Sequence, residues 1–157
     1  METKKLEGYP GIRFATASDL ERVLEIENLS FDSRWSQLQF STSLKNLFLV
    51  FEEEGQILGF LIACICEVAQ RAIIMRLAVH PDHRGQAIAT KLITAALDRF
   101  KQSGLKCVEL DVEIVKEGAI KLYEKFGFKI MQVTTVNYEE DTSFLIMKLL
   151  LSNWPNH

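Results

Sequence analysis

The chain has 157 residues and a formal net charge of −3 at pH 7, and 48% of its residues are apolar while 25% are charged. This length suits one well-buried domain, and this composition excludes a disordered chain. No apolar run approaches the roughly 18 residues of a membrane span. The first ten residues lack the apolar core of a secretory signal, and the negative charge argues against a broad nucleic-acid-binding surface. We therefore expect a single cytoplasmic domain over residues 1–157, with neither nucleic acid nor a membrane as a partner.

The first part of the chain predicts one strand followed by two helices. Residues 11–17 alternate apolar and polar side chains, as a half-buried strand does. Ser18 and Glu21 form a capping-box pattern that opens a helix, and Ser36 and Gln39 repeat the pattern at the start of a shorter helix. We therefore expect a loop between the two helices.

The rest of the chain alternates strands with two more helices. Helical spacing begins near Gln86 and stops at Gly104, a natural C-terminal cap. The other spans that we predict are strands at 47–53, 56–68, 72–79, 107–114, 128–138 and 142–151, and a helix at 117–126. The order β-α-α-β-β-β-α-β-α-β-β predicts an α/β fold in which a mixed sheet carries helices on both faces.

The three cysteines, Cys64, Cys66 and Cys107, do not form a metal-binding pattern. Cys64 and Cys66 fall on one face of a predicted strand, where small thiols are commonly buried. Adding His80 and His83 gives no recognisable zinc spacing. We expect core or near-core thiols and no metal.

A short loop, Arg84-Gly85-Gln86-Ala87-Ile88-Ala89-Thr90, connects a predicted strand to the long helix. A helix begins with backbone N–H groups that lack carbonyl partners, and its dipole favours an anion there. The loop matches neither GxxxxGK[ST] nor GxGxxG. From spacing alone it is either a pyrophosphate site or an ordinary strand-to-helix turn with a solvated arginine.

This loop belongs to a longer pattern, Val79-His80-Pro81-x-x-Arg84-Gly85-x-Ala87-Ile88-Ala89-x-x-Leu92, which resembles the acetyl-coenzyme A motif of the GNAT N-acetyltransferases. The segment Ala119-Ile120-x-Leu122-Tyr123-x-x-Phe126-Gly127-Phe128 resembles the second signature of the same superfamily. The resemblance runs from Ile12 to Leu149 and implies a GNAT-like, mostly antiparallel sheet of about seven strands. It also implies an acetyl-CoA-dependent N-acetyltransferase. The residues that it places at the cosubstrate are Leu77, Ala78, Val79, Arg84, Gly85, Gln86, Ala87, Ile88, Ala89, Thr90 and Lys116.

Two shorter segments are similar to the RimI-type members of that superfamily, which acetylate N-terminal amines of ribosomal proteins. They are FDSRWS, residues 31–36, and VNYEEDTSFLIMKL, residues 136–149. The resemblance implies that a protein or peptide N-terminus is the acceptor. It places Phe31, Trp35, Tyr138 and Glu139 at that acceptor, although the two aromatic residues of the first segment fit a small satellite core equally well.

The sequence departs from the family pattern at three positions. Ala87 replaces the central glycine of the motif, Glu139 replaces the second closing tyrosine, and Lys116 replaces an asparagine at the cosubstrate. If Ala87 has a helical φ, the only difference from glycine is that its methyl group takes up space next to the phosphates. If its φ is positive, we expect weakened acetyl-CoA binding that Ala87→Gly restores.

Acetyl transfer to an amine requires a base, stabilisation of the carbonyl oxygen and a proton for the leaving thiolate. Glu109, Asp111 and Glu113 share one face of a predicted strand, either as a solvated face or as a like-charge group with raised pKa values that suits a base. The resemblance aligns Asp111 with the catalytic glutamate of the family, with Glu113 as the reserve base and a substrate contact. It makes Tyr123 the acid, a residue that spacing alone would assign to helix packing. A backbone N–H of residues 77–79 would polarise the carbonyl.

Three questions remain open at this level. The acceptor could instead be a small amine, or the domain could bind CoA or a protein partner without catalysis. A homodimer is a further alternative. Arg76 fits an ion pair and a substrate contact equally well.

Overall fold

A computed structural model of the chain describes residues 4–31, 34–137 and 141–155. Its strands and helices follow the predicted order β-α-α-β-β-β-α-β-α-β-β, which is confirmed. Short 3-10 turns precede α1, follow β4 and follow β7. The elements are β1 (Ile12–Phe14), α1 (Leu20–Ser30), α2 (Gln37–Ser43), β2 (Leu47–Glu53), β3 (Gln56–Cys66), β4 (Arg71–Val79), α3 (Ile88–Gln102), β5 (Cys107–Glu113), α4 (Glu117–Lys125), β6 (Lys129–Asn137) and β7 (Asp141–Leu150).

The strands form a seven-stranded sheet in the order β1-β2-β3-β4-β5-β7-β6. β4 and β5 pair in parallel, whereas β1–β2, β2–β3, β5–β7 and β6–β7 pair antiparallel. The predicted mixed, mostly antiparallel sheet is therefore confirmed. The chain divides into two compact units, one formed by Met1–Cys64 and Arg76–Ala96 and the other by Ile65–Met75 and Leu97–His157.

In the first unit, α2 packs on β2 and β3 through a cluster of aromatic rings, and Leu20, Val23 and Ile26 of α1 belong to the same core. The Phe40 ring contacts the Phe60 ring edge-on, with 5.6 Å between centroids, and lies 6.3 Å from Phe48. All three side chains are at most 2% exposed. Burying each one contributes about 1.5–3 kcal/mol, so this cluster is a major source of the unit's stability.

The start of α1 differs from the prediction. The carboxylate of Asp19 accepts the N–H of Thr16 at 2.7 Å and two hydrogen bonds from the Arg13 guanidinium at 2.7 and 2.9 Å. The capping turn therefore begins at Thr16 instead of Ser18, because a buried ion pair from β1 fixes Asp19. The prediction for α2 is confirmed, since Ser36 Oγ accepts the N–H of Gln39 at 3.2 Å.

In the second unit, apolar rows of β5 and β7 face each other in the sheet. Val108, Leu110 and Val112 pair with Leu149, Met147 and Leu145, and all six are buried. The C-terminal segment closes this unit: the Trp154 indole donates to Asp98 at 2.7 Å, its ring lies 5.5 Å from Phe126, and its carbonyl accepts from Lys101.

Candidate active site

The loop after β4 is fixed by hydrogen bonds from Arg84, which the sequence alone assigned either to a pyrophosphate site or to a solvated turn. Arg84 Nε donates to the Val79 carbonyl at 3.1 Å, and Arg84 Nη2 donates to Ser30 Oγ at 3.3 Å. The backbone of His80 donates to Leu58 at 2.8 Å, which fixes the end of β4 against β3. Arg84 is therefore not simply solvated, because it ties the loop both to the end of β4 and to the last turn of α1.

The N–H groups of residues 84–90 are the most distinctive feature of this loop. None of them donates a hydrogen bond of normal length and angle within the described ranges. Gly85 and Ala87 both have positive φ, 80° and 64°, and the Ala87 carbonyl accepts the N–H of Lys91 at 3.0 Å as α3 begins. Successive amides in such turns form anion-binding concavities, and the helix dipole adds to this attraction. This part of the chain therefore fits a pyrophosphate.

The conformation of Ala87 decides between the two predicted cases. With φ at 64°, Ala87 lies in the left-handed region that favours glycine. This region costs an L-residue roughly 1–2 kcal/mol. Because Ala87 is exposed, its methyl group also occupies space at the surface of the loop. The prediction that Ala87→Gly improves acetyl-CoA binding therefore applies.

A second glycine, which sequence analysis did not single out, allows α3 to approach the sheet. A Cβ atom on Gly59 in β3 would lie 3.1 Å from the Ala78 carbonyl oxygen and 3.1 Å from Ile88 Cγ2. Both distances are tighter than most such contacts, and the carbonyl belongs to rigid backbone. Because Ile88 is only 3% exposed, its side chain belongs to the core, and only its backbone N–H could contribute to an anion site. The signal was available, since a glycine inside a strand often marks a close approach.

The predicted alternation of β5 is confirmed by burial. Val108, Leu110 and Val112 face the core, while Asp111 is exposed and Glu113 is half-buried. Glu109 pairs with Arg71 of β4 at 2.8 Å, so one carboxylate of this row is offset by a cation. Asp111 and Glu113 are the two carboxylates of the row that this arginine does not engage.

Tyr123 lies in α4 with 7% of its surface exposed, and its ring meets the Phe128 ring at a centroid distance of 5.7 Å. Burial, and then the Asp111 carboxylate, raise the pKa of Tyr123 to about 12, because both disfavour the phenolate. Among the described residues its hydroxyl has no hydrogen-bond partner. At neutral pH the hydroxyl keeps its proton, as a proton donor must.

The aromatic pair Phe31 and Trp35 surrounds a buried ion pair. Both rings pack against the core cluster of the first unit, which agrees with the satellite-core alternative. The Arg76 guanidinium lies 3.9 Å from the Phe31 ring centroid and 5.4 Å from the Trp35 ring centroid. It pairs with Glu27 at 2.6 Å, where the Glu27 side chain is fully buried. Arg76 is therefore an ion-pair partner, as one of the two alternatives held.

Glu27 was not predicted to matter. A signal was present, because Glu27 follows Val23 by four residues and so shares the apolar face of α1, and a buried carboxylate requires a partner. The partner could not be identified, since Arg76 lies 49 residues further along the chain.

Three predicted residues remain, and the structure describes one of them. Lys116 is the N-cap residue of α4, where its N–H donates to the Glu113 carbonyl at 3.0 Å. Tyr138 and Glu139 lie outside the described residues. Within the described ranges there is no group of three or more His, Cys, Asp or Glu that could hold a metal. No helix there is long and apolar enough to cross a bilayer.

Comparisons with known proteins agree with the geometry. A family model described as Acetyltransferase (GNAT) family matches residues 20–128. An uncharacterized N-acetyltransferase of Methanocaldococcus jannaschii is 34% identical over 140 residues, which cover 78% of this chain and 62% of that protein. The ribosomal protein bS18-alanine N-acetyltransferase of Escherichia coli is 27% identical over 113 residues, covering 71% of this chain and 75% of that protein. A Salmonella typhimurium protein solved with its cofactor acetyl-CoA superposes with a TM-score of 0.76 at 19% identity, covering 96% of this chain and 95% of that chain.

Proposed function

Because the chain belongs to the GNAT acetyltransferase family, we propose that it transfers an acetyl group from acetyl-CoA to a primary amine, namely the N-terminal α-amine of a protein or peptide. The observation that carries the proposal is the run of N–H groups at residues 84–90 that donate no hydrogen bond of normal geometry among the described residues. Such a run fits the pyrophosphate of coenzyme A.

Binding of the cosubstrate is assigned to the first unit. The N–H groups of residues 85–90 would bind the pyrophosphate, and a backbone N–H of Leu77, Ala78 or Val79 would polarise the thioester carbonyl. Arg84 would hold the loop in place through the Val79 carbonyl, and it adds a positive charge nearby. The bound acetyl-CoA supplies an acetyl group on a thioester, which an amine attacks without a metal or a redox step.

Proton transfer is assigned to the second unit. The attacking amine must be neutral, so Asp111 would accept its proton through a water molecule, because aspartate is one methylene shorter than the glutamate of the family. Glu113 is the reserve base. Tyr123 would give its proton to the leaving thiolate, and its pKa of about 12 keeps that proton available at neutral pH.

The α-amine is favoured over a lysine side chain by its acidity. With ordinary pKa values near 8 and 10.4, roughly a tenth of α-amines but fewer than one in a thousand lysine amines are neutral at pH 7. One carboxylate acting through water suits the easier deprotonation. The similarity to the bS18-alanine enzyme of Escherichia coli points in the same direction.

The proposal is tested by incubating the protein with acetyl-CoA and a panel of peptides with the N-terminal sequences of ribosomal proteins, and by analysing the products by mass spectrometry. We expect at least one peptide to gain one acetyl group. The matched control is the same peptide with its α-amine blocked, which should stay unmodified. Thiol release with small amines but with no peptide would contradict the assigned acceptor, and binding of acetyl-CoA without turnover on any amine would contradict catalysis.

A further inference from the structure

Two side chains of the first unit connect the aromatic pair, Phe31 and Trp35, to the strand that ends at the cosubstrate loop. Arg76 Nε lies 3.3 and 3.2 Å from the two carboxylate oxygens of Glu27, and Arg76 Nη2 lies 2.6 Å from Oε2. The same Oε2 accepts the backbone N–H of Trp35 at 2.9 Å. One buried carboxylate therefore joins β4 to the backbone that carries the second aromatic ring.

The guanidinium also fixes both rings directly. Its carbon lies 3.9 Å from the Phe31 centroid, a stacking distance, and 5.4 Å from the Trp35 centroid. The Trp35 ring rests on Phe40 at 5.4 Å, so its inner side contacts the core. A planar cation held by a carboxylate sets the ring positions more narrowly than apolar packing alone would, because both its plane and its donors have fixed directions.

The last turn of α1 has a second connection to the same strand. Ser30 Oγ donates to the Ile26 carbonyl at 2.7 Å and accepts from Arg84 Nη2 at 3.3 Å, while Arg84 Nε holds the Val79 carbonyl. Arg76 precedes residues 77–79, and Arg84 follows them. The last turn of α1, which leads into Phe31, is therefore linked to β4 through Arg76 and to the loop after β4 through Arg84. Residues 77–79, between these two links, are those to which carbonyl polarisation was assigned above.

We propose that Arg76 and Glu27 are positioning residues for the acceptor amine, acting through the aromatic pair. Glu27 is fully buried and the Arg76 side chain is 16% exposed, so their effect is exerted through Phe31 and Trp35. This inference rests on the proposed function, in which those two rings contact the acceptor. A positioning role changes how tightly the acceptor is held and leaves acetyl-CoA binding and proton transfer in place.

The test compares steady-state kinetics of three variants with the unaltered protein, using the amine that the unaltered protein acetylates best. Removing one member of a buried charge pair risks unfolding, so the main variant is the double change Glu27→Gln/Arg76→Met. Gln still accepts the Trp35 N–H, and Met keeps an apolar stem against Phe31. Arg76→Lys keeps the charge but loses the planar, bidentate geometry. Arg71→Met is the matched control, since Arg71 lies on the same strand and pairs with Glu109 at 2.8 Å.

For the double variant we expect the KM for the acceptor to rise about tenfold or more, while kcat and the KM for acetyl-CoA change less than about threefold. Arg76→Lys should give an intermediate acceptor KM, and Arg71→Met should leave it unchanged. If the pair only stabilises the fold, the variants lose active protein without this split. The inference would be overturned if the folded double variant kept an unchanged acceptor KM, or if its acceptor KM and its acetyl-CoA KM changed equally. It would also be overturned if Arg71→Met raised the acceptor KM by as much as the double variant does. Failure to acetylate any peptide would instead overturn the assigned acceptor alone, since the two KM values can then still be compared with a small amine as the acceptor. No turnover with any amine would overturn both the assigned acceptor and this inference.

Discussion

Ala87→Gly is the substitution with the clearest expected gain. Ala87 has φ at 64°, and replacing it with glycine removes a backbone strain of roughly 1–2 kcal/mol, because glycine adopts this region without a Cβ clash. Glycine adds conformational freedom to the unfolded chain, which costs about 0.4–1 kcal/mol. The free energy of unfolding of the protein without ligand should therefore rise by between about zero and 1.5 kcal/mol.

The same substitution should tighten acetyl-CoA binding by an amount similar to this change in stability. The substitution also removes a methyl group from the exposed surface of the loop whose N–H groups donate no hydrogen bond of normal geometry within the described ranges. We expect the Kd for acetyl-CoA to fall about fivefold, which corresponds to roughly 1 kcal/mol. Isothermal titration calorimetry measures the Kd, and urea unfolding measures the stability.

The matched control is Ala89→Gly, the same chemical change two residues later, inside α3. There glycine costs about 0.8–1.0 kcal/mol of helix stability, and no positive φ is relieved, so stability should fall and binding should not tighten. An unchanged or weaker affinity of the Ala87→Gly protein for acetyl-CoA would refute the reasoning. Equal tightening in both variants would also refute it, because neither the φ of residue 87 nor its methyl group would then be the cause.

Three further predictions concern the two units separately. In an ultraviolet titration, one tyrosine should ionise near its pKa of about 12. Tyr123→Phe should remove that step, and Asp111→Asn should lower the pKa of Tyr123. Because the pKa of Tyr123 is higher in the folded protein than in the unfolded chain, its contribution to the free energy of unfolding should be lost between about pH 10 and 12. Gly59→Ala should cost about 1–3 kcal/mol in urea unfolding and weaken acetyl-CoA binding, since its Cβ meets a backbone carbonyl at 3.1 Å; an unchanged Kd would contradict the assigned close approach. Although burial acts to raise it, hydrogen bonds from Arg13 and Thr16 hold the pKa of Asp19 below its ordinary value. Its stabilisation should therefore be present above about pH 4 and be lost as pH falls, and Asp19→Asn should flatten this acid dependence in urea unfolding.

The order of strands and helices was predictable because it depends on local periodicity. The apolar run of β2, for example, was predicted with its observed bounds, Leu47–Glu53. The predicted start of α1 was wrong because the carboxylate of Asp19 binds Arg13, a contact that capping patterns do not include. A helix cap can be predicted from neighbouring residues only where no side chain from another element forms hydrogen bonds with those residues.

The candidate site was less predictable than the fold. The loop at residues 84–90 could be identified by its motif, but the φ of Ala87 depends on how α3 meets the sheet. The pairing of Glu27 with Arg76 joins two elements that are far apart in sequence, so no local pattern could identify it. Tyr123 was predicted from resemblance, whereas its raised pKa follows from burial in the folded unit.

The proposed activity is acetylation of α-amines. The most direct measurement uses one peptide that carries both a free N-terminal α-amine and an internal lysine. The peptide is incubated with the protein and acetyl-CoA, and the acetyl group is located by fragmentation mass spectrometry. We expect acetylation of the α-amine, with the lysine unmodified. Acetylation of the lysine alone, or of neither amine across the whole peptide panel, would contradict it.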